Sequence, residues 1–195
     1  MIEINRYNKL KENYGNTSSW TIWKKADETP KSNTDDMTIF EDEHICDKLN
    51  DKYVFVGLNG SSTHGIQEDK PWKNFYSSYK YQNDFKLRYA LCETEFWGSY
   101  ITDIIKEFPE VDSAKVKNYL KKNPKFIKEN INKFKEELKI LSDEKPIIIA
   151  IGNDSYNILS KDLGNEYKLF KIMHYSNRIS KENYRKEVLK ILKNI

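Results

Sequence analysis

Hydrophobic positions along the chain alternate between strand-like and helix-like spacing. Tyr53-Val54-Phe55-Val56-Gly57-Leu58 is a β-branched and aromatic run closed by Asn59-Gly60, which predicts a buried strand ending in a turn. Pro146-Ile147-Ile148-Ile149-Ala150-Ile151 is the clearest strand; its unbroken apolar character, running into Gly152-Asn153-Asp154-Ser155, suits a central parallel strand that delivers into a helix N-terminus. Trp97–Thr102 reads as another strand with Asp103 at its exit, and Tyr167–Met173 as a fourth, closed by His174. Between them Ile127, Ile131, Phe134, Leu138 and Leu141 recur at intervals of four and three, one apolar face of a long helix. A helix is expected over Asp84–Glu93; Asp112 or Ser113 caps another running to Lys122, and Ser180 caps a last one through Tyr184, Val188, Ile191 and Ile195. Strands alternating with helices predict an α/β fold, a three-layer sandwich around a central, mainly parallel four-stranded sheet. Residues 1–52 show little periodicity beyond Trp20, Ile22 and Trp23, and are expected to form an irregular, packed N-terminal arm on a 53–195 core, all in one domain. Ser61–Asn83, polar and aromatic, is expected to be loop.

Composition changes this picture in four places. Only 38% of residues are hydrophobic, but 13% are aromatic, and large rings supply the core that disorder would lack. No apolar run reaches the roughly 18 residues of a membrane span, and Met1–Arg6 lack the apolar stretch of a signal peptide, so a cytoplasmic protein is expected. Cys46 and Cys92 are too few for a disulfide scaffold, a four-cysteine zinc site or a four-cysteine iron–sulfur cluster. The net charge of +3 says less than its distribution. Residues 161–195 carry nine basic and four acidic side chains, so an anionic partner would be met at the C-terminal end.

In open parallel sheets ligands bind beyond the carboxyl ends of the strands. The four expected strands end in Asn59, Asp103, Asn153 and His174, which a parallel sheet would place on one edge. Asn59 and Asn153 also suit a turn and a helix cap, Asp103 a turn, and a lone histidine a structural role. No phosphate-binding loop, dinucleotide fingerprint, zinc-protease motif or serine nucleophile elbow is present, and His44, His64 and His174 lack metal-ligand spacing. No cofactor or metal is expected.

Four short segments share a further feature. Val54-Phe55-Val56-Gly57-Leu58-Asn59-Gly60-Ser61 resembles the first motif of the uracil-DNA glycosylase superfamily, especially its single-strand-selective and mismatch-specific branches. Ser99-Tyr100-Ile101-Thr102-Asp103 resembles the family's base-reading strand, Ile148–Gly152 its strand-glycine segment, and His174-Tyr175-Ser176-Asn177-Arg178 its closing histidine loop. The resemblance covers residues 53–195 and implies that family's fold and a metal-free, monomeric DNA glycosylase. Under it Asn59 holds the attacking water, His174 donates to O2 of the departing base, and Asp103 reads the base edge. Trp72 or Phe75 stacks on the flipped base. Ser61, Ser176, Asn177, Arg178 and Ile179 meet DNA, single- or double-stranded, with Asn177–Ile179 pressed into the minor groove. The chemistry is coherent: a donor fixed at the developing oxyanion stabilises the transition state for N-glycosidic cleavage, and a base must leave the stack to be reached.

Two departures stand out. Gly60 and Tyr175 replace the prolines of the family's loops, and Asp103 replaces an asparagine. A carboxylate only accepts hydrogen bonds, so it suits a base presenting an amino group better than uracil's O4. The alternatives are a non-catalytic protein that binds nucleic acid or a nucleotide with the same fold, and a hydrolase of small nucleosides or nucleotides.

Overall fold

The computed structural model describes residues 1–60, 70–77, 82–106, 108 and 110–195. Five strands form one sheet: β1 (Ser18–Trp20), β2 (Asn50–Asn59), β3 (Ser99–Ile105), β4 (Ile147–Ile151) and β5 (Leu169–Ile172). Their order is β1-β3-β2-β4-β5; β1 runs antiparallel to β3 and every other neighbouring pair is parallel. The chain leaves β2 for β3 on one side and later returns to lay β4 on the other. The switch point of the sheet therefore falls between the carboxyl ends of β2 and β4, where ligands gather in folds of this kind.

The six helices are α1 (Ile4–Tyr14), α2 (Asp84–Leu91), α3 (Ser113–Lys122), α4 (Pro124–Leu141), α5 (Asn153–Leu163) and α6 (Lys181–Leu192). The period-two alternation of the strands sorts them into layers. Val54, Val56, Tyr100, Ile104, Ile148 and Ala150 face one way, against Leu10 of α1, Val116 and Leu120 of α3, Ile131, Phe134, Leu138 and Leu141 of α4, and Leu159 and Leu163 of α5. Phe55, Ile101, Ile149, Ile151 and Ile172 face the other way, against Leu87, Ala90 and Leu91 of α2 and Tyr184, Val188 and Leu192 of α6. The α/β sandwich is as expected, with a fifth strand added. Asp112 caps α3 by accepting from the Ala114 amide, and Ser180 caps α6 by accepting from Asn183. None of the helices among the described residues is long and apolar enough to cross a membrane.

Three expectations need correction. The segment 1–52 is not irregular: it contributes α1, the edge strand β1 and two short 3-10 turns, and buries Leu10, Trp20, Ile22 and Trp23. Asp103 does not end its strand, because Ile104 and Ile105 continue it and bury fully. Asn153 does not cap α5; Gly152 occupies that position, and the Asn153 Oδ1 accepts from Lys171 Nζ at 3.0 Å.

A buried ion pair joins α4 to β3. Lys106 Nζ lies 2.8 Å from Glu137 Oε2, and Glu137 Oε1 accepts from Tyr100 Oη at 2.8 Å and Thr102 Oγ1 at 2.9 Å. Lys106 Nζ also donates to the Asp103 carbonyl at 3.0 Å, and the Tyr14 ring covers it from α1. Removing one partner strands the other charge in the interior. Lys106→Met is expected to cost about 3–5 kcal/mol, and Lys106→Met/Glu137→Leu to recover a large part of it, read from urea unfolding.

Candidate functional site

The site is built where β2, β3 and β5 end on the α2/α6 side of the sheet. Asp103 pairs with Gly57 across the β2/β3 ladder. It is 4% exposed, and Oδ2 accepts from Asn74 Nδ2 at 2.9 Å. A Cβ on Gly57 would stand 2.3 Å from Asp103 Oδ1 and 3.7 Å from Phe75 Cε1. Glycine at position 57 is thus what lets the carboxylate and the Phe75 ring converge over β2. Burial pushes the Asp103 carboxyl up to about 6, against the opposing pull of the Asn74 hydrogen bond and of Lys106, with Glu137 adding to the rise.

His174 follows β5 and is positioned from three sides. Tyr184 Oη of α6 donates to the Met173 carbonyl at 3.0 Å. Gly152, at φ +90°, lies beneath the imidazole; a Cβ there would be 3.3 Å from His174 Cβ. The positive φ therefore calls for glycine, and a Cβ there would also crowd the histidine. The third restraint sets the tautomer. Nδ1 accepts from the Ser176 amide at 3.1 Å and sits 2.8 Å from Ser176 Oγ. Burial lowers the histidine below its ordinary range, outweighing the attraction of Asp154. At neutral pH the ring is uncharged, and with Nδ1 occupied as an acceptor its proton sits on Nε2.

Tyr175, next to His174 in the loop after β5, feels the charge of two buried acids. The Tyr175 hydroxyl is pushed well up, first by burial and then by the carboxylates of Asp84 and Asp103. Asp84 opens α2, accepts from the amides of Ser77 and Phe85, and is itself raised to about 6 by burial. The Tyr175 ring packs on His174 at 4.4 Å.

Asn59 ends β2. Its Nδ2 donates to the carbonyls of Gly60, Phe108 and Glu110 at 3.1, 3.1 and 2.9 Å, so the amide ties β2 to the segment after β3 and leaves Oδ1 as its accepting end. The two candidate stacking rings part company. Trp72 is 1% exposed, and its Nε1 donates to Tyr7 Oη at 2.8 Å inside a cluster with Trp20. It is a core residue and cannot be a stacking platform. Phe75 is half-buried beside Gly57 and remains at the site. Both rings sit at φ +71°, a strained conformation for bulky residues that aims them in opposite directions out of one short segment.

Of the other residues, Ser176 holds the histidine, and Asn177 offers its carbonyl to Lys86. Arg178 is exposed, Ile179 packs on the α2/α6 side, and Ser61 lies outside the described residues. Sequence reasoning missed Asn74, Asp84 and the pairing of Gly57 with Asp103. Among the described residues no three His, Cys, Asp or Glu side chains converge as metal ligands would.

Gly57→Ala is expected to lose about 1–3 kcal/mol through overpacking against Asp103, and Gly57→Ala/Asp103→Gly to lose less than the sum of its parts, in denaturant unfolding. Asp103 also makes stability pH-dependent. Between about pH 4 and 6 its folded form holds a proton that the unfolded chain has released, so its contribution falls as pH rises. Asp84 acts in the same direction and His174 in the opposite one, so the Asp103 share is read against Asp103→Asn. The variant should gain on wild type as pH rises from about 4 to 7, by on the order of 3 kcal/mol at about 1.4 kcal/mol per tenfold change in proton affinity. A difference that stays constant with pH contradicts this.

No protein-family model, curated protein or solved structure matches the chain.

Proposed function

We propose that this protein is a DNA N-glycosylase of the uracil-DNA glycosylase-like kind, hydrolysing the bond between deoxyribose and a base swung out of the stack. The observation that carries the reading is the imidazole of His174. It is neutral, locked by Ser176 with its proton on Nε2, and set just past the carboxyl end of β5 with the Tyr175 ring packed on it. A preorganised neutral donor suits a base that departs as an anion, since it stabilises charge on the base oxygen without having to surrender a full positive charge of its own.

In this reading the C1′–N bond breaks and the base leaves with its electron pair. Water adds to C1′, and its proton is released to solvent or to the departing base. Asn59, whose amide protons are held by backbone carbonyls, presents Oδ1 as an acceptor for that water. Phe75 stacks on the base, and Asp103 reads its edge. Ionised at neutral pH and supported by Asn74, Asp103 takes a hydrogen bond from an exocyclic amine. A donor for O2 and an acceptor for an amine together match a cytosine-type base, whose edge carries O2 and the N4 amino group. Below about pH 6 the protonated acid becomes a donor and suits a carbonyl-bearing base such as uracil.

One observation favours the alternative of a binding protein: the Asn59 amide is already engaged in holding the loop. Release of free base separates the two. Oligonucleotides carrying altered cytosines, uracil, hypoxanthine, xanthine or alkylated bases are incubated with the protein, and the freed base is measured by chromatography. The expected result is release that drops about 100-fold or more in His174→Ala, less in His174→Gln, and falls in Asn59→Ala. Base preference should shift from amino- to carbonyl-bearing bases as pH is lowered through about 6. No release from any substrate, or variants equal to wild type, leaves the binding reading.

A further inference from the structure

A groove of about 440 Å³ lies between α2, the start of α6 and the turn around residue 30. Its walls are apolar, formed by Pro30, Phe85 and Ile179, and three cations from three separate segments converge on it: Lys31, Lys86 and Lys181. No acidic residue is among the described residues that line it.

The groove is held open by buried contacts. Arg88, 5% exposed, donates to the Lys24 carbonyl at 3.0 Å and the Pro30 carbonyl at 2.8 Å, fastening the turn to α2. Lys86 is 7% exposed, and its Nζ donates to the Asn177 carbonyl at 2.9 Å; no carboxylate forms an ion pair with it among the described residues. Burial and then the neighbouring charge of Lys31 weaken its hold on its proton. Lys31 lies over the Phe85 ring at 5.2 Å, and Lys181 over the Tyr89 ring at 3.9 Å with Glu182 beside it at 2.8 Å. A buried ammonium that faces another cation and is answered only by a carbonyl dipole is under-compensated, and an arriving anion relieves it.

We infer that this groove seats a backbone phosphate of a nucleic-acid strand, with Lys31, Lys86 and Lys181 around the phosphate and Phe85 and Ile179 against the adjoining sugar. The choice of a strand over a free anion rests on position and on the function proposed above. The carbonyl that Lys86 holds and the Ile179 wall belong to the loop that begins at His174, so the groove adjoins the loop that carries the imidazole. The apolar walls fit a sugar and would be wasted on an inorganic ion.

Binding of a fluorescent single-stranded oligodeoxynucleotide is measured by anisotropy across a salt series, in parallel with base release. Wild type is compared with Lys31→Glu, Lys181→Glu and Lys86→Met, the first two being surface changes that leave the core intact. Each charge reversal should weaken binding roughly tenfold and flatten the slope of log affinity against log salt by up to about one. Lys86→Met should flatten the slope too, and inorganic phosphate should compete only weakly. Unchanged affinity and slope in the two reversals overturns the inference, as does a wild type that binds no oligonucleotide or that binds inorganic phosphate as tightly as the strand. The outcomes separate from those of the catalytic reading. Groove-dependent binding without base release keeps the groove and removes the glycosylase, whereas base release indifferent to the three lysines does the reverse.

Discussion

The buried contact of Lys106 with Glu137 governs where the chemistry can sit. Two ions withdrawn from water lose several kcal/mol of hydration each, and their mutual attraction and the hydrogen bonds around them must offset that loss. Tyr100 and Thr102 donate to one oxygen of Glu137, Lys106 faces the other as an ion pair at 2.8 Å without a hydrogen bond to it, and Lys106 donates instead to Thr102 Oγ1 and the carbonyl of Asp103. The carboxyl half of β3 is thereby fastened to α4 on one face. The pleat then sends the side chain of Asp103 out of the opposite face, over Gly57. A second carboxylate is thus held in the interior, on the other face of the same strand. The difference between them is their company: Glu137 has a cation, whereas Asp103 has the Asn74 amide and only the indirect attraction of Lys106. A carboxylate so placed is pushed toward protonation.

Much of this layout can be read in the sequence, for reasons that differ by element. β2 and β4 are buried on both faces, so their apolar runs are continuous and unmistakable. The face of α4 is legible because five of its apolar positions recur at helical spacing, and Asp112 and Ser180 announce helix starts through their caps. The N-terminal segment is another matter. α1 buries only Tyr7 and Leu10 among Asn, Lys and Glu, too few anchors for a period to emerge. β1 is three residues long and exists because β3 offers it an edge. Both are decided by tertiary contact, which no local window contains.

The site divides in the same way. Strand ends are predictable wherever an apolar run stops at a polar residue, and Asn59 and His174 were found by that signal. It misleads at Asp103, where Ile104 and Ile105 carry the strand on past the acid. Asn74 carries no local mark at all in a chain rich in asparagine; only the fold brings it to Asp103. Trp72 and Phe75 are equivalent to any reading of spacing. Their roles are separated by the Tyr7 hydroxyl, which draws the indole into the core, and by Gly57, which leaves room for the phenyl ring.

The two ends of the proposed base site also limit each other. His174, uncharged with its proton on Nε2, asks for an acceptor; Asp103, ionised at neutral pH, asks for a donor. Neither demand is absolute, but leaving a buried partner unpaired costs about 1–3 kcal/mol, so a base that satisfies one end and opposes the other is discriminated against by one to two orders of magnitude. An asparagine at position 103 could turn its amide to suit either edge, whereas the carboxylate cannot. In the proposed reading selectivity is coupled to the ionisation of Asp103, and that ionisation is set by the depth at which Gly57 lets it sit. The loop from His174 to Ser180 adds the remaining constraint. It is held in turn by Ser176 on the ring, Lys86 on Asn177 and the Ser180 cap on α6, so the position of the imidazole is tied to α2 and α6.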